Sequence, residues 1–252
     1  MGVAATEVAS LLVRPGRAGL ADLLARGAVR PGDQLGGGVL ADADRFPVLP
    51  VLRDLLPGGT LRRGSVVALG SWSSLCLALA AGPVAAGAWC AVAGVPEFGV
   101  AAAAEAGLDL AKLLLVPGLG QNWPQVVASL FDGCDLVLLR PPDRPSALVR
   151  RKLEAAVRRY GAVLLVAGDW DGAHVKLRIT TSGWAGIGSG HGRLCGRWAQ
   201  VVADGRGEWA RPRARWLWLP GPDGAVAAVA DEALAASGVT AETGTGWEAG
   251  TG

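Results

Sequence analysis

The stretch Ser65-Val-Val-Ala-Leu-Gly70-Ser-Trp-Ser-Ser-Leu-Cys-Leu77 decides the fold, because it reads as a buried strand, a tight loop that opens at Gly70, and an apolar helix. This order matches the phosphate-binding loop G-x-x-x-x-G-K-[S/T]. Counting from Gly70 places Leu75, Cys76 and Leu77 at the positions of the second glycine, the lysine and the metal-binding hydroxyl. We interpret this stretch as a vestigial nucleotide loop, whose marked residues are Gly70, Ser73, Ser74, Leu75, Cys76 and Leu77.

Each of these three replacements removes a different group that a phosphate-binding loop uses to bind a nucleotide. A lysine-phosphate pair near a protein surface contributes about 4 kcal/mol. Micromolar binding corresponds to only about 8 kcal/mol in total. Since Leu77 also supplies no oxygen for Mg²⁺, we expect negligible affinity for ATP, no cofactor and no ATPase activity.

Size and composition favour one main soluble domain. The chain has 252 residues, of which 51% are hydrophobic. We expect an N-terminal arm at 1–44, a core at 45–222 and a C-terminal segment at 223–252 that is flexible at its end. Glycines and prolines interrupt every apolar run before it could span a membrane. No signal-peptide pattern opens the chain, which predicts a cytoplasmic protein. The scattered cysteines predict reduced thiols, with no disulfide framework and no metal site.

The order of apolar segments predicts an α/β fold with a mainly parallel sheet. Strands are expected at 65–69, 88–93, 113–116, 135–139 and 162–166, with helices near 74–81, 97–106, 124–132 and 146–160 between them. Further strands at 174–179, 193–203 and 213–219 follow short connections. Short connections join antiparallel strands, so these should be additions at the end of the sheet.

No convincing active site emerges from the acidic and basic residues of the chain. The acid that should end the strand after the loop is replaced by Arg140, and Asp143 beyond it suits a turn. Glu97 follows Pro96 at a predicted helix start, where the helix dipole explains an acid. The pair Asp169 and Asp171 could hold a metal or simply form a turn, and we favour the turn. The lone residues His174 and His191 and the glycine-rich stretch 186–192 match no catalytic pattern.

Basic residues concentrate in the second half of the chain. Between Arg140 and Arg215 there are 15 Lys and Arg against 6 Asp and Glu. Five tryptophans are interleaved with arginines here, a composition that suits single-stranded DNA, a protein partner or core packing. A basic face of the helix at 146–160 suits phosphate binding or solubility. The candidate DNA- or partner-binding residues are Arg150, Arg151, Arg193, Arg197, Arg211, Arg213, Arg215, Trp216 and Trp218.

The order of motifs resembles the RecA recombinase core, with residues 70–77 similar to a decayed G-P-E-S-S-G-K-T. The phrase at 106–114 is also similar to the stretch that leads into the third strand of the recombinase. More specifically, residues 49–59, 61–65, 168–170 and 190–192 resemble the ImuA-type accessory proteins of the actinobacterial mutasome. The resemblance covers about residues 45–222.

This resemblance implies a RecA-like core with a degenerate nucleotide site and a role in SOS-linked, damage-induced mutagenesis by translesion synthesis. The implied partners are an inactive Y-family polymerase-like protein and, through it, an error-prone replicative-type polymerase. Direct binding of single-stranded DNA and association with the nucleoid are further expectations. The departures at Leu75, Cys76, Leu77 and Arg140 argue against recombinase activity and nucleotide-driven filaments.

Two other functions remain open from the sequence. A division inhibitor of the SulA kind would also resemble RecA without a nucleotide loop. A cryptic metal-dependent enzyme would use Asp169 and Asp171 at the sheet edge.

Overall fold

The computed structural model describes residues 44–188, 191–205 and 212–230. The predicted N-terminal arm, apart from Asp44, and the end of the C-terminal segment lie outside the described residues. The helices are α1 Ser74–Ala85, α2 Val100–Glu105, α3 Trp123–Leu130 and α4 Ala147–Tyr160. The strands are β1 Arg45–Pro47, β2 Thr60–Arg62, β3 Ser65–Ala68, β4 Cys90–Ala93, β5 Leu113–Val116, β6 Leu136–Leu139, β7 Val163–Val166, β8 Val175–Gly188, β9 His191–Gly205, β10 Arg213–Trp218 and β11 Ala227–Ala228.

A nine-stranded sheet organises the molecule, in the order β11-β10-β9-β8-β3-β7-β6-β4-β5. The strands from β8 to β5 in this order run parallel, whereas β8, β9, β10 and β11 pair antiparallel. The predicted fold class, an α/β fold with a mainly parallel sheet and antiparallel strands at its end, is therefore confirmed. A separate two-stranded ribbon, β1-β2, precedes the sheet and was not predicted from the sequence.

Two hydrophobic cores lie on the two faces of the sheet. The first core packs α1 and residues 46–61 against one face and includes Val67, Leu138 and Leu217. The second core packs α3 and α4 against the opposite face and includes Val137 and Leu164. The central strands are buried on both faces, which is why their sequences are continuous apolar runs rather than alternating ones.

The predicted limits of α4 agree with its capping groups. The Ser146 hydroxyl accepts a hydrogen bond from the Val149 amide (3.3 Å), as an N-cap residue does. Gly161 ends the helix in the left-handed conformation with φ of 64°. Both signals are local, so the sequence predicts this helix well.

Three predicted boundaries are wrong. Helix α1 continues through Gly82 and Pro83 to Ala85, although Gly82 was expected to stop it. Gly82 is needed for close packing instead, because a Cβ there would lie 2.6 Å from the Pro47 carbonyl oxygen. Helix α2 starts only at Val100, after Pro96 and Gly99. Strand β8 runs on to Gly188 through the glycines that predicted a loop.

No helix among the described residues is long and apolar enough to cross a membrane.

Candidate functional site

The vestigial nucleotide loop connects β3 to α1 at the carboxyl edge of the parallel strands, where α/β proteins usually bind ligands. Gly70 opens the loop with φ of +67°. The side chains of Leu75 and Cys76 are fully buried, and that of Leu77 is 7% exposed. Burial raises the pKa of the Cys76 thiol to about 12. The three altered motif positions therefore belong to the hydrophobic core and present no charge or metal ligand to a phosphate.

Two side chains of the loop, Trp72 and Ser74, contact neighbouring parts of the protein. The Ser74 hydroxyl donates a hydrogen bond to the Leu219 carbonyl (2.9 Å), just after β10. The Trp72 ring packs edge-on against Phe98, with ring centroids 6.1 Å apart. Because Phe98 follows β4, this contact joins the loop after β3 to the loop after β4. Gly70 and Ser71 are exposed at the start of the loop, and Trp72, Ser73 and Ser74 are partly buried.

Arg140 and Glu97, which the sequence comparison aligns with or near the acidic positions of P-loop enzymes, pair with each other. Arg140, directly after β6, donates through Nη2 to Glu97 Oε2 (2.9 Å) and through Nη1 to Oε1, and its Nε donates to the Gly94 carbonyl (3.0 Å). The hydrogen bond from Arg140 lowers the pKa of Glu97 and raises that of Arg140. The Glu97 side chain is 59% exposed, so the pair contributes little stability. The end of β6 therefore presents an arginine in an ion pair, whereas P-loop enzymes present a carboxylate for Mg²⁺ at the end of the corresponding strand.

The interpretation of Glu97 as a helix-dipole acid is wrong. Helix α2 begins three residues later, and Glu97 pairs across the sheet edge with Arg140. The two residues are 43 positions apart in sequence. Since β4 and β6 are neighbours that are not consecutive in sequence, only the strand order brings these positions together.

Of the two acids after β7, Asp171 is paired with arginines. The Asp171 carboxylate lies 3.1 Å from Arg150 Nη2 and 3.9 Å from Arg144 Nη2. Trp170 between the two acids is fully buried, and its indole donates to Glu154 (3.0 Å). No group of three His, Cys, Asp or Glu residues that could hold a metal occurs in the part of the chain that the structure describes.

Asp143 contacts a buried aromatic residue. Its carboxylate accepts a hydrogen bond from the Trp123 indole at 3.1 Å. This contact ties the turn after β6 to the first residue of α3, in addition to the turn-forming role that the sequence indicated.

The candidate tryptophans and the candidate arginines of β10 lie on opposite faces of the strand, because successive side chains alternate between faces. Arg213 and Arg215 share a face of β10 with Leu217, which belongs to the first core. Trp216 and Trp218 lie on the opposite face, where Trp216 packs edge-on against Trp198 with centroids 5.7 Å apart. The structure therefore does not assemble these residues into one mixed surface. Arg215 instead pairs with Asp54 (2.9 Å), which precedes the sheet.

The other predicted basic residues are also dispersed. Arg193 is exposed on β9, and Arg197 donates to the Ser182 hydroxyl at 2.9 Å. Arg150 donates to the Pro145 carbonyl (2.8 Å) and also pairs with Asp171. Arg151 is exposed on the same helix, α4, which packs on the face of the sheet opposite to the first core. Arg211 lies outside the described residues, as do residues 189–190 of the glycine-rich stretch.

Lys176 and Arg178, which the sequence did not single out as site residues, lie on the same sheet face as Trp198 and Trp216. Lys176 pairs in register with Asp204, and Arg178 with Val202. Arg178 also forms an ion pair with Asp204. The strict alternation of 174–179 was the signal for this face, but the sequence could not say which tryptophans would lie beside it.

The last strand of the sheet, β5, exposes apolar side chains. It pairs with β4 on one side, and no described strand pairs with its other side. Leu115 on β5 is 43% exposed. Val100 in α2 is 45% exposed, and Leu110 in the 3-10 helix Leu110–Lys112 that leads to β5 is 41% exposed. An apolar strand with an open edge is a common place for another chain to pair.

Comparisons with known proteins identify the relatives of this chain. The model of the MT3502 N-terminal domain family matches residues 54–172. The uncharacterized protein Rv3395c of Mycobacterium tuberculosis is 37% identical over 164 residues, which cover 61% of this chain and 80% of that protein. The chain belongs to the MT3502 N-terminal domain family. The matched region of the family model runs from the residues before β2 to the acidic turn after β7, so it includes the vestigial loop and the Arg140–Glu97 pair.

Proposed function

We propose that this protein is a RecA-like, non-enzymatic adaptor in DNA-damage tolerance and induced mutagenesis. In this role it binds an inactive Y-family polymerase-like protein and, through it, an error-prone replicative-type polymerase during translesion synthesis. It would act in the cytoplasm at the nucleoid. The sequence resemblance to ImuA-type proteins suggests the pathway, and the described geometry supports a binding role over a catalytic one.

The observation that carries the proposal is the set of residues at the carboxyl edge of the sheet, which lacks the groups that bind a nucleotide. Leu75, Cys76 and Leu77 occupy the core where a nucleotide loop presents glycine, lysine and a hydroxyl. The metal-binding carboxylate is replaced by Arg140, whose guanidinium is already paired with Glu97. A sheet with this strand and loop order that lacks the lysine, the hydroxyl and the metal-binding carboxylate is suited to binding partner proteins rather than to hydrolysing ATP.

The open edge at β5 is the surface that best suits the polymerase-like partner. A segment of that partner could add a strand beside Leu113–Val116, with main-chain hydrogen bonds for affinity and apolar side chains for specificity. Leu115, Val100 and Leu110 would supply the apolar contacts. An exposed basic or acidic side chain in an edge strand normally discourages such pairing, and β5 contains none.

Damage-induced mutation frequency tests the adaptor role in cells that lack the endogenous gene. Leu115→Lys places a charge in the open edge and should reduce induced mutagenesis to the level of the deletion. Leu148→Lys introduces the same charge at a residue that is 62% exposed on α4, and should restore mutagenesis fully. Equal restoration by both variants would argue against the edge, and unchanged mutagenesis in the deletion would contradict the adaptor role itself.

Calorimetry tests the non-enzymatic part separately. Titration of the purified protein with ATP and Mg²⁺ should give no binding heat, and no phosphate should be released. Magnesium-dependent hydrolysis that disappears in Arg140→Ala would contradict the proposal.

A further inference from the structure

Strand β8 continues beyond the parallel strands as one half of a two-stranded arm. It pairs with β3 only at Val175 and Lys176, whereas its pairing with β9 continues to the end of the strand. A Cβ at Gly70 would lie 3.6 Å from the Arg178 Cβ, so the loop after β3 lies beside β8 as far as that residue. Among the described residues, no strand pairs with the outer side of residues 179–188. We refer to this side as the open edge of β8.

The two strands of the arm differ in how their outer edges are protected. On the β9 side, the segment after β10 covers the edge: the Arg197 amide donates to the Pro220 carbonyl (2.8 Å), and the Leu219 amide donates to the Arg197 carbonyl (2.7 Å). The open edge of β8 reads Ile-Thr-Thr-Ser-Gly-Trp-Ala-Gly-Ile-Gly, with no charged residue and no proline. Charged residues and prolines are common means by which exposed edge strands avoid pairing with another chain. The β8 edge lacks both.

Two bulges enclose a regular run within the open edge. The register between β8 and β9 shifts at Ile179/Thr181 and at Ala185/Ile187, and residues 181–185 between these shifts pair one-to-one with residues 196–200. Gly183, at the centre of this run, remains in the strand because a Cβ there would overlap the Trp198 ring. An aromatic ring that covers a strand glycine fixes the register of the pair. Since bulges bend a strand, the part that another strand can join is centred on Gly183.

Trp184 is the large apolar side chain of this run. It is 55% exposed. It lies opposite Arg197, and it shares a face of the sheet with Ser182, which lies opposite Ala199. A covered indole buries about 150–250 Å² of surface, so this exposure leaves a large apolar area in water. Across the open edge, Trp184 therefore suits a neighbouring strand with a small side chain at the opposed position.

A second copy of the same run provides that neighbour. In an antiparallel pair with a two-fold axis at Gly183, Trp184 of each copy lies opposite Ser182 of the other, and Thr181 lies opposite Ala185. Directly opposed side chains share a face, and the two indoles are diagonal neighbours within reach of each other. Because the same surface meets itself in a two-fold interface, a charge in the run would lie near its own copy. The run contains no charge.

We propose that two copies of this chain associate through the open edge of β8, with residues 181–185 of each copy paired antiparallel about Gly183. The pairing joins two arms into one four-stranded sheet, which is more stable than an isolated two-stranded hairpin. An interface this short belongs to the small class that dissociates readily, so we expect a dissociation constant in the micromolar range. The inference goes beyond the adaptor role and does not depend on it, because the β5 and β8 edges lie at different places in the strand order.

Sedimentation velocity at several protein concentrations tests the association. The wild type should change from monomer to dimer as the concentration rises. Trp184→Lys removes the indole and places a cation near its own copy, so it should raise the dissociation constant about tenfold or more. Leu194→Lys introduces the same charge on β9 of the same arm, at a residue that is 48% exposed, and should dimerise as the wild type does. A wild type that stays monomeric at every concentration, or unchanged dimerisation of Trp184→Lys, would overturn the proposal.

Spin labelling of Cys195 locates the interface without a substitution. Cys195 is exposed on β9 and the other three cysteines are buried, so a thiol-directed nitroxide should label this residue alone. Cys195 adjoins Gly196, the partner of Ala185. In the proposed pair, the two Cys195 Cα atoms are three strand spacings apart across the sheet and about six residues apart along it, or roughly 25 Å. Double electron-electron resonance should show a distance of about 20–40 Å that disappears on dilution. A distance outside this range, or no dipolar coupling at high concentration, would refute the proposed interface.

Discussion

At the residue scale, the vestigial loop shows how a motif position can be reused for packing. Cys76 stands where the motif has lysine, and its thiol is fully buried with a raised pKa. A lysine at this position would have to bury an ammonium group within the first core, which costs several kcal/mol. Restoring the motif residues one at a time therefore conflicts with the present core.

Cysteine labelling tests this burial. Cys76, Cys90 and Cys134 are buried, whereas Cys195 is exposed on β9. Because alkylation needs an accessible thiolate, iodoacetamide at pH 8 should modify Cys195 in the native protein. The other three thiols should react only after denaturation. Peptide mass spectrometry measures the pattern, and rapid native labelling of Cys76 would contradict this burial.

His174 should make stability depend on pH. Its pKa is lowered in the folded protein, chiefly by burial and by Arg62, so the unfolded chain takes up a proton more readily. Stability is then fully present above the ordinary histidine pKa of about 6.5 and decreases as the pH falls through the lower folded value. Urea unfolding between pH 7.5 and 5 should show this decrease, and His174→Gln should flatten it. An unchanged pH profile in the variant would show that His174 does not contribute.

At the element scale, Gly82 connects α1 to the ribbon that precedes the sheet. A Cβ at this position would meet the Pro47 carbonyl at 2.6 Å and the Val48 Cα at 2.7 Å. Gly82→Ala should therefore destabilise the protein by about 1–3 kcal/mol, despite the better helix propensity of alanine. Gly118→Ala is the matched control, since a Cβ there meets nothing within 4 Å. Denaturant unfolding distinguishes the two, and a stabilised Gly82→Ala would disprove the close contact.

Binding of single-stranded DNA, if it occurs, should depend on the β8 face rather than on β10. Lys176 and Arg178 lie on the same sheet face as Trp198 and Trp216, and Arg178 is paired with Asp204. Arg215 lies on the opposite face and is paired with Asp54. Lys176→Glu with Arg178→Glu should reduce the salt slope of binding by about 1.4, the value for two lost phosphate contacts. Arg213→Glu with Arg215→Glu should change it less. Fluorescence anisotropy at several salt concentrations measures both, and the reverse order would favour the β10 arginines.

Local signals in the sequence predict the elements well and their assembly less well. The apolar runs of β3 to β7 and the caps of α4 are local, and both were predicted correctly. The Arg140–Glu97 pair, the cross-strand pairing of Arg45 with Arg62 and the separation of Trp216 from Arg215 depend on strand order and register. Two glycines led to wrong boundaries, because Gly82 and Gly186 allow close packing inside regular elements and do not end them.

At the scale of the whole molecule, the described residues place three features at separate parts of one sheet. The loop after β3 lies at the carboxyl edge, the open edge of β8 lies in the arm beyond that loop, and the apolar edge strand β5 lies at the far side of the parallel strands. A substitution at one of these places is therefore expected to leave the other two unchanged.

The most direct test of the adaptor role is affinity purification of the tagged protein from DNA-damaged cells, followed by quantitative mass spectrometry. We predict recovery of an inactive Y-family polymerase-like protein with the wild type and with Leu148→Lys, and its loss with Leu115→Lys. Recovery of the tubulin-like division protein instead, or equal recovery of the polymerase-like protein with all three forms, would contradict the account.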